Sequence, residues 1–164
     1  MRRLRTLIPP LSIHAPDGRL MRAWDFKQKK SLVILFLDTD CTACETFLHR
    51  LAQQAGGLRR RDAVALVAFL AAPTERITGL LPAEIIAGTE MSGRAARAFL
   101  GSDALSSSGL GMRGVFVTDR YGELAEQWES RGHDFPAPGD ILRWIDQAEV
   151  NSDACGAPAW PADA

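Results

Sequence analysis

The sequence predicts an α/β sandwich, a central mixed β-sheet flanked by helices and preceded by an N-terminal β-hairpin. Three observations carry this. Residues 32–37 (Leu-Val-Ile-Leu-Phe-Leu) and 63–70 (Ala-Val-Ala-Leu-Val-Ala-Phe-Leu) are unbroken apolar runs of strand length, the pattern of strands covered on both faces. Segments with helical spacing alternate with them. Near the end, two further strand-like segments surround Asp119-Arg120-Tyr121-Gly122, a turn sequence that adds an antiparallel pair.

In chain order, Leu11-Ser12-Ile13 and Leu20-Met21-Arg22-Ala23-Trp24 flank Pro16-Asp17-Gly18. Proline pre-sets φ and glycine accepts positive φ, so this is the opening hairpin. The strand at 31–37 follows the charged Lys27-Gln28-Lys29-Lys30. A helix then carries Phe47, Leu48, Leu51, Ala52 and Ala55 on one stripe and is expected to stop at Gly56-Gly57, with Asp40 or Thr42 as its cap. After the strand at 63–70, Pro73-Thr74-Glu75 starts a short helix ending near Gly79. Glu84-Ile85-Ile86-Ala87 reads as a short strand. Ser92 caps a helix bearing Ala95, Ala96, Phe99 and Leu100. The Ser/Gly-rich stretch 106–111 is a loop, residues 114–118 a strand, and 123–128 its hairpin partner. A last helix carries Ile141, Leu142, Trp144, Ile145 and Ala148. From Ser152 the chain is Ala/Pro-rich and aperiodic, which predicts an extended tail over 152–164 after a domain over 1–151.

The chain has 164 residues, enough for one domain with a core, and no internal repeat. With 19 Lys+Arg against 20 Asp+Glu the net charge is −1, which argues against nucleic acid or an anionic membrane as the main partner. The clusters Arg2, Arg3, Arg5 and Arg59 to Arg61 read as solvated surface. Pro9-Pro10 interrupts the N-terminal apolar stretch short of the ~7–15 residues of a secretory core, and no apolar run approaches the ~20 residues that span a bilayer. The expected location is cytoplasmic.

Three cysteines are too few for a disulfide-stapled scaffold. In a reducing compartment a close pair is a metal half-site or a redox pair, and Cys41-Thr42-Ala43-Cys44 is such a pair. Structural zinc wants four ligands. Beyond the pair only Cys155, His14, His49 and His133 remain, scattered, so no metal and no cofactor are expected. A cysteine in the first turn of a helix lies among unpaired backbone N–H groups at the positive end of the macrodipole, which favours the reactive thiolate. A second cysteine three residues on is one turn away, within disulfide reach. Cys41, nearer solvent, is expected to attack, and Cys44 to resolve the mixed disulfide.

Asp38 and Asp40 oppose this. A charge at ~4 Å is worth roughly 1 kcal/mol in water and ~4 at an effective dielectric of 20, against ~0.3–1 for a helix end. A carboxylate aimed at Cys41 disfavours its thiolate unless Arg113 compensates; the alternative is that both aspartates cap the helix and face water. Cys155 is expected to be an exposed leftover, the alternative being a distant resolving thiol on a folded-back tail. His49 lies roughly 500° around the helix from Cys44 and reads as a surface residue; His14 and His133 have no catalytic partners in sequence. Trp24, Trp128 and Trp144 read as packing residues, and Trp160 as a dock for the tail.

From Ile13 to about Ala148 the chain resembles the thioredoxin-like superfamily, in its branch of alkyl-hydroperoxide reductases and thiol-specific antioxidants (peroxiredoxin-like redoxins). The resemblance rests on three stretches: Pro10-Leu11-Ser12-Ile13 through Trp24-Asp25-Phe26-Lys27, residues 32–44, and Arg113-Gly114-Val115-Phe116-Val117-Thr118-Asp119-Arg120-Tyr121-Gly122, similar to that branch's Arg-x-Thr-Phe-Val-Ile-Asp-x-x-Gly. It implies a thioredoxin-like sandwich, and Arg113 matches the family arginine that helps hold the thiolate and a peroxide. Other positions depart. In the peroxiredoxin pattern Pro-x-x-x-Thr-x-x-Cys, placing Cys44 last puts Leu37 and Cys41 at the Pro and Thr; placing Cys41 last puts Ile34 and Asp38 there. Neither register supplies the hydroxyl. The thioredoxin Trp-Cys-Gly-Pro-Cys becomes Asp40-Cys41-Thr42-Ala43-Cys44, and Gly114 stands where the family has its cis-proline.

The leading expectation is a thiol–disulfide oxidoreductase, an antioxidant-type enzyme with catalytic Cys41, Cys44 and Arg113. It would act on a protein or small-molecule disulfide and be recycled by an external dithiol donor. The alternative is a peroxiredoxin-like thiol peroxidase. A third is a redox-sensing or scaffold domain of weak turnover. The oligomeric state is left open.

Overall fold

The computed structural model describes the backbone of residues 5–155 and side chains as far as residue 151. Strands β1 (Ser12–His14) and β2 (Leu20–Arg22) form the expected hairpin, with Ile13 opposite Met21. The second strand ends at Arg22 rather than Trp24, because residues Ala23–Phe26 form a 3-10 turn in which the Asp25 carboxylate accepts the Arg22 N–H at 2.9 Å. Then follow β3 (Ser31–Phe36), α1 (Thr42–Ala52), α2 (Ala55–Arg60), β4 (Ala63–Phe69), α3 (Glu75–Thr78), β5 (Ile85–Thr89) and α4 (Arg94–Leu100). The Ser/Gly-rich stretch is a small hairpin, β6 (Leu105–Ser106) with β7 (Gly109–Leu110), and the chain ends in β8 (Arg113–Thr118), β9 (Leu124–Ser130) and α5 (Pro138–Cys155).

Seven strands form one sheet in the order β2-β1-β5-β4-β3-β8-β9. β3, β4 and β5 are parallel, whereas β8 and β9 add antiparallel on one side and β1 and β2 on the other. The sheet is therefore mixed, as expected. Its interior strand β3, between β4 and β8, is buried at every position, so alternate residues feed two cores. Leu32, Ile34 and Phe36 pack with Phe99 and Leu100 of α4 and with Phe116, while Val33, Leu35 and Leu37 pack with α1, α2 and α5 through Phe47, Leu48, Leu51, Leu58, Ile141 and Ile145. The rings of Phe36, Phe99 and Phe116 meet at centroid distances of 5.0–6.0 Å, close enough for edge-to-face attraction.

Three boundaries differ from expectation. Gly56-Gly57 does not stop a helix. Helix α1 ends at Ala52, and both glycines lie inside α2, where a Cβ on Gly57 would come within 2.9 Å of Leu142 Cδ1. The absence of side chains thus lets α2 and α5 approach. The N-cap of α4 is Gly93, at φ 75°, rather than Ser92, although the Ser92 hydroxyl does accept the Arg94 N–H at 3.2 Å. The extended tail expected from Ser152 is instead helical as far as Cys155. Trp160 and the remainder of that tail lie outside the described residues, as does the Cys155 side chain.

Candidate active site

Strand β3 is followed by Asp38-Thr39-Asp40 and then the first turn of α1, so the chain leaves the sheet at its carboxyl end and turns into a helix at Cys41. This is the edge where α/β sheets place their sites. Cys41, and neither Asp40 nor Thr42, is the N-cap residue. Its backbone is extended (φ −155°, ψ 103°), and its Sγ accepts the Cys44 N–H at 3.0 Å. A sulfur thus does the capping expected of an oxygen, bringing the Cys41 Sγ directly onto the positive end of α1.

Cys41 and Cys44 are joined as a disulfide, with Cα atoms 5.2 Å apart. Their environments differ as expected: Cys41 is half-buried, and Cys44, one turn inside, is 1% exposed among Val33, Leu35, Leu37 and Phe47. Cys41 opens onto a cleft of about 620 Å³, lined on one side by residues 38–43 and on the other by Leu70, Ser108, Leu110, Arg113 and His133.

Arg113, at the start of β8, reaches this cleft because β8 pairs with β3, placing Gly114 opposite Phe36. Each nitrogen of its guanidinium makes one hydrogen bond. Nη1 donates to the Asp38 carboxylate at 2.7 Å, Nε to the Gly132 carbonyl at 2.8 Å, and Nη2 to the Arg131 carbonyl. The second Asp38 oxygen accepts the Leu110 N–H at 3.2 Å. The Asp38 carboxylate is therefore paired with Arg113 and the Leu110 N–H, and Asp40 is exposed to water. Neither aspartate caps α1. Gly114 owes its lack of a side chain to packing, since a Cβ there would lie 2.6 Å from Leu100 Cδ2.

His133, which has no catalytic partner nearby in the chain, has neighbours in the fold. One of its ring nitrogens and the two Sγ atoms all lie within 4.8 Å of one another. His133 is exposed at the cleft, on the stretch after β9. That stretch is held from below by Phe135, which stacks on Phe47 of α1 (centroids 4.6 Å, planes 11° apart) and leans on Trp128 of β9 (5.1 Å). It is held from the side by Arg113, and it is closed on itself by the Ser130 hydroxyl, which donates to Asp134 at 2.8 Å and accepts the Gly132 N–H at 2.9 Å. Hairpin register is the signal that finds His133: Arg113 lies opposite Ser130, so residues just past Ser130 must flank the mouth that Arg113 lines. His14 is an exposed residue of β1. His49 is half-buried rather than on the surface, with Nε2 buried and lacking a hydrogen-bond partner.

Against solved structures, the chain superposes on the mitochondrial 2-Cys peroxiredoxin of Plasmodium falciparum with a TM-score of 0.71 at 14% identity, over 94% of this chain and 98% of that one. The fold is thioredoxin-like. Within that fold it is similar to Mycobacterium tuberculosis AhpC (TM-score 0.71, 15% identity, 96% and 97% covered). It is similar too to a Chlorobium tepidum chain described as a thiol:disulfide interchange protein DsbE (TM-score 0.66, 18% identity, 89% and 97% covered). No family model matches the sequence. No curated protein matches it either. The thioredoxin-like sandwich expected from the sequence is thus the fold observed, with the cysteine pair at the strand-to-helix turn. No helix among the described residues is long and apolar enough to cross a membrane.

Proposed function

We propose that the protein is a thiol–disulfide oxidoreductase in which Cys41 attacks and Cys44 resolves. The observation that carries this is the Cys44 N–H donated to Cys41 Sγ at the N-cap of α1, with Cys41 at the cleft and Cys44 buried behind it. In the reduced protein that hydrogen bond and the helix end both favour a thiolate at Cys41. The thiolate attacks one sulfur of a substrate disulfide and expels the other as a thiolate. Cys44, deprotonated, then attacks Cys41 Sγ, expels the second substrate thiolate and leaves the Cys41–Cys44 disulfide. Two electrons pass to the substrate, and an external dithiol returns them. His133, beside both sulfurs, is placed to accept a thiol proton, and Arg113 acts as a positioning residue that holds Asp38 and the His133 stretch. The reading fits the cytoplasmic location expected from the sequence, where dithiol donors are available.

The test is insulin-disulfide reduction by wild type, Cys41→Ser and Cys44→Ser. Wild type turns over, Cys41→Ser is inactive, and Cys44→Ser accumulates a mixed disulfide at Cys41 detectable by mass spectrometry. Activity of Cys41→Ser equal to wild type would leave a scaffold or sensor domain as the better reading.

A thiol peroxidase is the second reading, favoured by the placement of Arg113 on the same cleft as Cys41. Against it, each guanidinium nitrogen already donates once, to Asp38 or to a carbonyl, which leaves one N–H each on Nη1 and Nη2 for a peroxide. Stopped-flow mixing with hydrogen peroxide decides: oxidation no faster than that of free cysteine excludes it.

A further inference from the structure

The sulfurs of Cys41 and Cys44 and the His133 imidazole converge beside the cleft, and disulfide exchange needs only the sulfurs. Spacing alone argues against a metal, because the third donor is 89 positions beyond Cys44 in the chain. The fold brings it in. Two sulfurs and a nitrogen bound to one cation at ~2.3 and ~2.0 Å lie about 3.5–4 Å from one another, and the donor atoms of Cys41, Cys44 and His133 already fall within 4.8 Å. Two of the three are on the rigid first turn of α1. The third is on a stretch tied down by Phe135, Arg113 and Ser130.

We propose that the reduced Cys41–Cys44 pair and His133 bind one Cu(I) ion as a three-coordinate site of two sulfurs and one nitrogen. Soft thiolates select Cu(I) and Zn(II) over harder cations, and imidazole suits both metals. The number of protein donors favours Cu(I). Among the described residues no further His, Cys, Asp or Glu donor joins the group. The neighbouring carboxylate, Asp38, is held by Arg113 and the Leu110 N–H. Two thiolates and an imidazole complete a trigonal Cu(I) by themselves, whereas Zn(II) would have to draw its fourth ligand from water. The ion is not repelled by Arg113, whose charge Asp38 offsets, and the exposed His133 leaves an entry path from solvent.

Binding balances as two thiols and one Cu(I) giving a dithiolate–copper complex and two protons. The disulfide has no thiolate to offer, so withdrawal of two electrons from the pair by a disulfide oxidant releases the ion. Copper loading and the Cys41–Cys44 bond are therefore mutually exclusive states of one site. The inference requires the reduced pair and His133 but no enzymatic turnover.

The experiment titrates the full chain, in a Cys155→Ser background that removes the third thiol, with Cu(I) under anaerobic competition with bicinchoninate. Reduced protein is expected to take one equivalent, and oxidised protein none. Cys41→Ser and Cys44→Ser should lose the site, and His133→Ala and His133→Gln should bind at least tenfold more weakly. Both His133 variants should keep the wild-type circular-dichroism spectrum and two titratable thiols at residues 41 and 44 when reduced and unfolded, which reports an intact fold and an intact pair. Wild-type affinity in the His133 variants, binding by oxidised protein, or no binding by reduced protein would each overturn the proposal. Displacement of Cu(I) by an equal concentration of Zn(II) would overturn the choice of ion and the three-donor argument with it. Intact Cu(I) binding without insulin reduction sinks the enzyme reading alone; insulin reduction without Cu(I) binding sinks this one alone.

Discussion

Replacing Arg113 by methionine keeps a similar unbranched chain and removes the charge that joins three parts of the cleft. The Arg113 side chain is 8% exposed and that of Asp38 23%. Breaking a fully buried pair by deleting one partner costs ~3–5 kcal/mol, because the other charge is left without compensation. Asp38 is partly wetted and keeps the Leu110 N–H, so the cost here should fall to about 2–3 kcal/mol. In a chain of this size each kcal/mol moves Tm by ~2–4 °C, giving a drop of roughly 4–12 °C. Arg113→Lys should rescue little, since one ammonium cannot serve Asp38 and the carbonyls of residues 131 and 132 in the fork geometry seen here. The assay is urea unfolding of wild type, Asp38→Asn, Arg113→Met and the double variant. The double variant should cost at least ~1 kcal/mol less than the sum of the singles, as groups in one network couple. A loss under ~0.5 kcal/mol for Arg113→Met, or strict additivity, would refute the view of this pair as the clamp of the cleft.

Three further outcomes follow from other positions. Burial holds the half-buried Glu129 carboxyl above its ordinary value of 4.5. Its penalty is absent when the group is protonated in both states and complete above the folded pKa, so Glu129→Gln should stabilise the protein at pH 7, by less than about 1 kcal/mol given its exposure, and not at pH 4; equal urea-midpoint shifts at both pH values would count against this. A Cβ at Gly88 would stand 2.6 Å from the His14 carbonyl oxygen, so Gly88→Ala should cost ~1–3 kcal/mol in thermal unfolding by pushing β1 off β5, whereas Gly139→Ala, with nothing within 4 Å, should not destabilise. Phe135→Ala removes two ring contacts worth ~0.5–1.5 kcal/mol each and should raise amide exchange at residues 131–134; unchanged exchange there would show that Arg113 alone holds the stretch.

The elements that could be read from sequence are those whose signal is local. Residues 32–37 and 63–70 are apolar at every position, which only a strand covered on both faces tolerates, and they are the sheet's middle strands. The misplaced boundaries share a different cause. Gly56 and Gly57 have the composition of a helix stop, yet their meaning is set by Leu142, far away in sequence. Ser92 has the composition of a cap, yet the turn that enters α4 is set by the positive φ of Gly93. Local chemistry identified the right residues in both cases, and tertiary packing reassigned their roles.

The site divides along the same line. Cys41 and Cys44 could be read because both sulfurs belong to one helical turn, and their unequal burial follows from the direction in which α1 enters the core. Arg113 could be found only through resemblance, and which aspartate it pairs with not at all, because Asp38–Arg113 is a contact across the β3/β8 pairing. His133 needed two registers in succession: β3 with β8, then β8 with β9, where an irregularity between Val117 and Thr118 offsets the count. An error of one residue in either register turns a strand's side chains to the opposite face. Chemistry that resides in a single turn is therefore legible from spacing, while chemistry assembled across a sheet edge is not. In this protein the first kind supplies the disulfide, and the second supplies the imidazole that makes the same two sulfurs a candidate copper site.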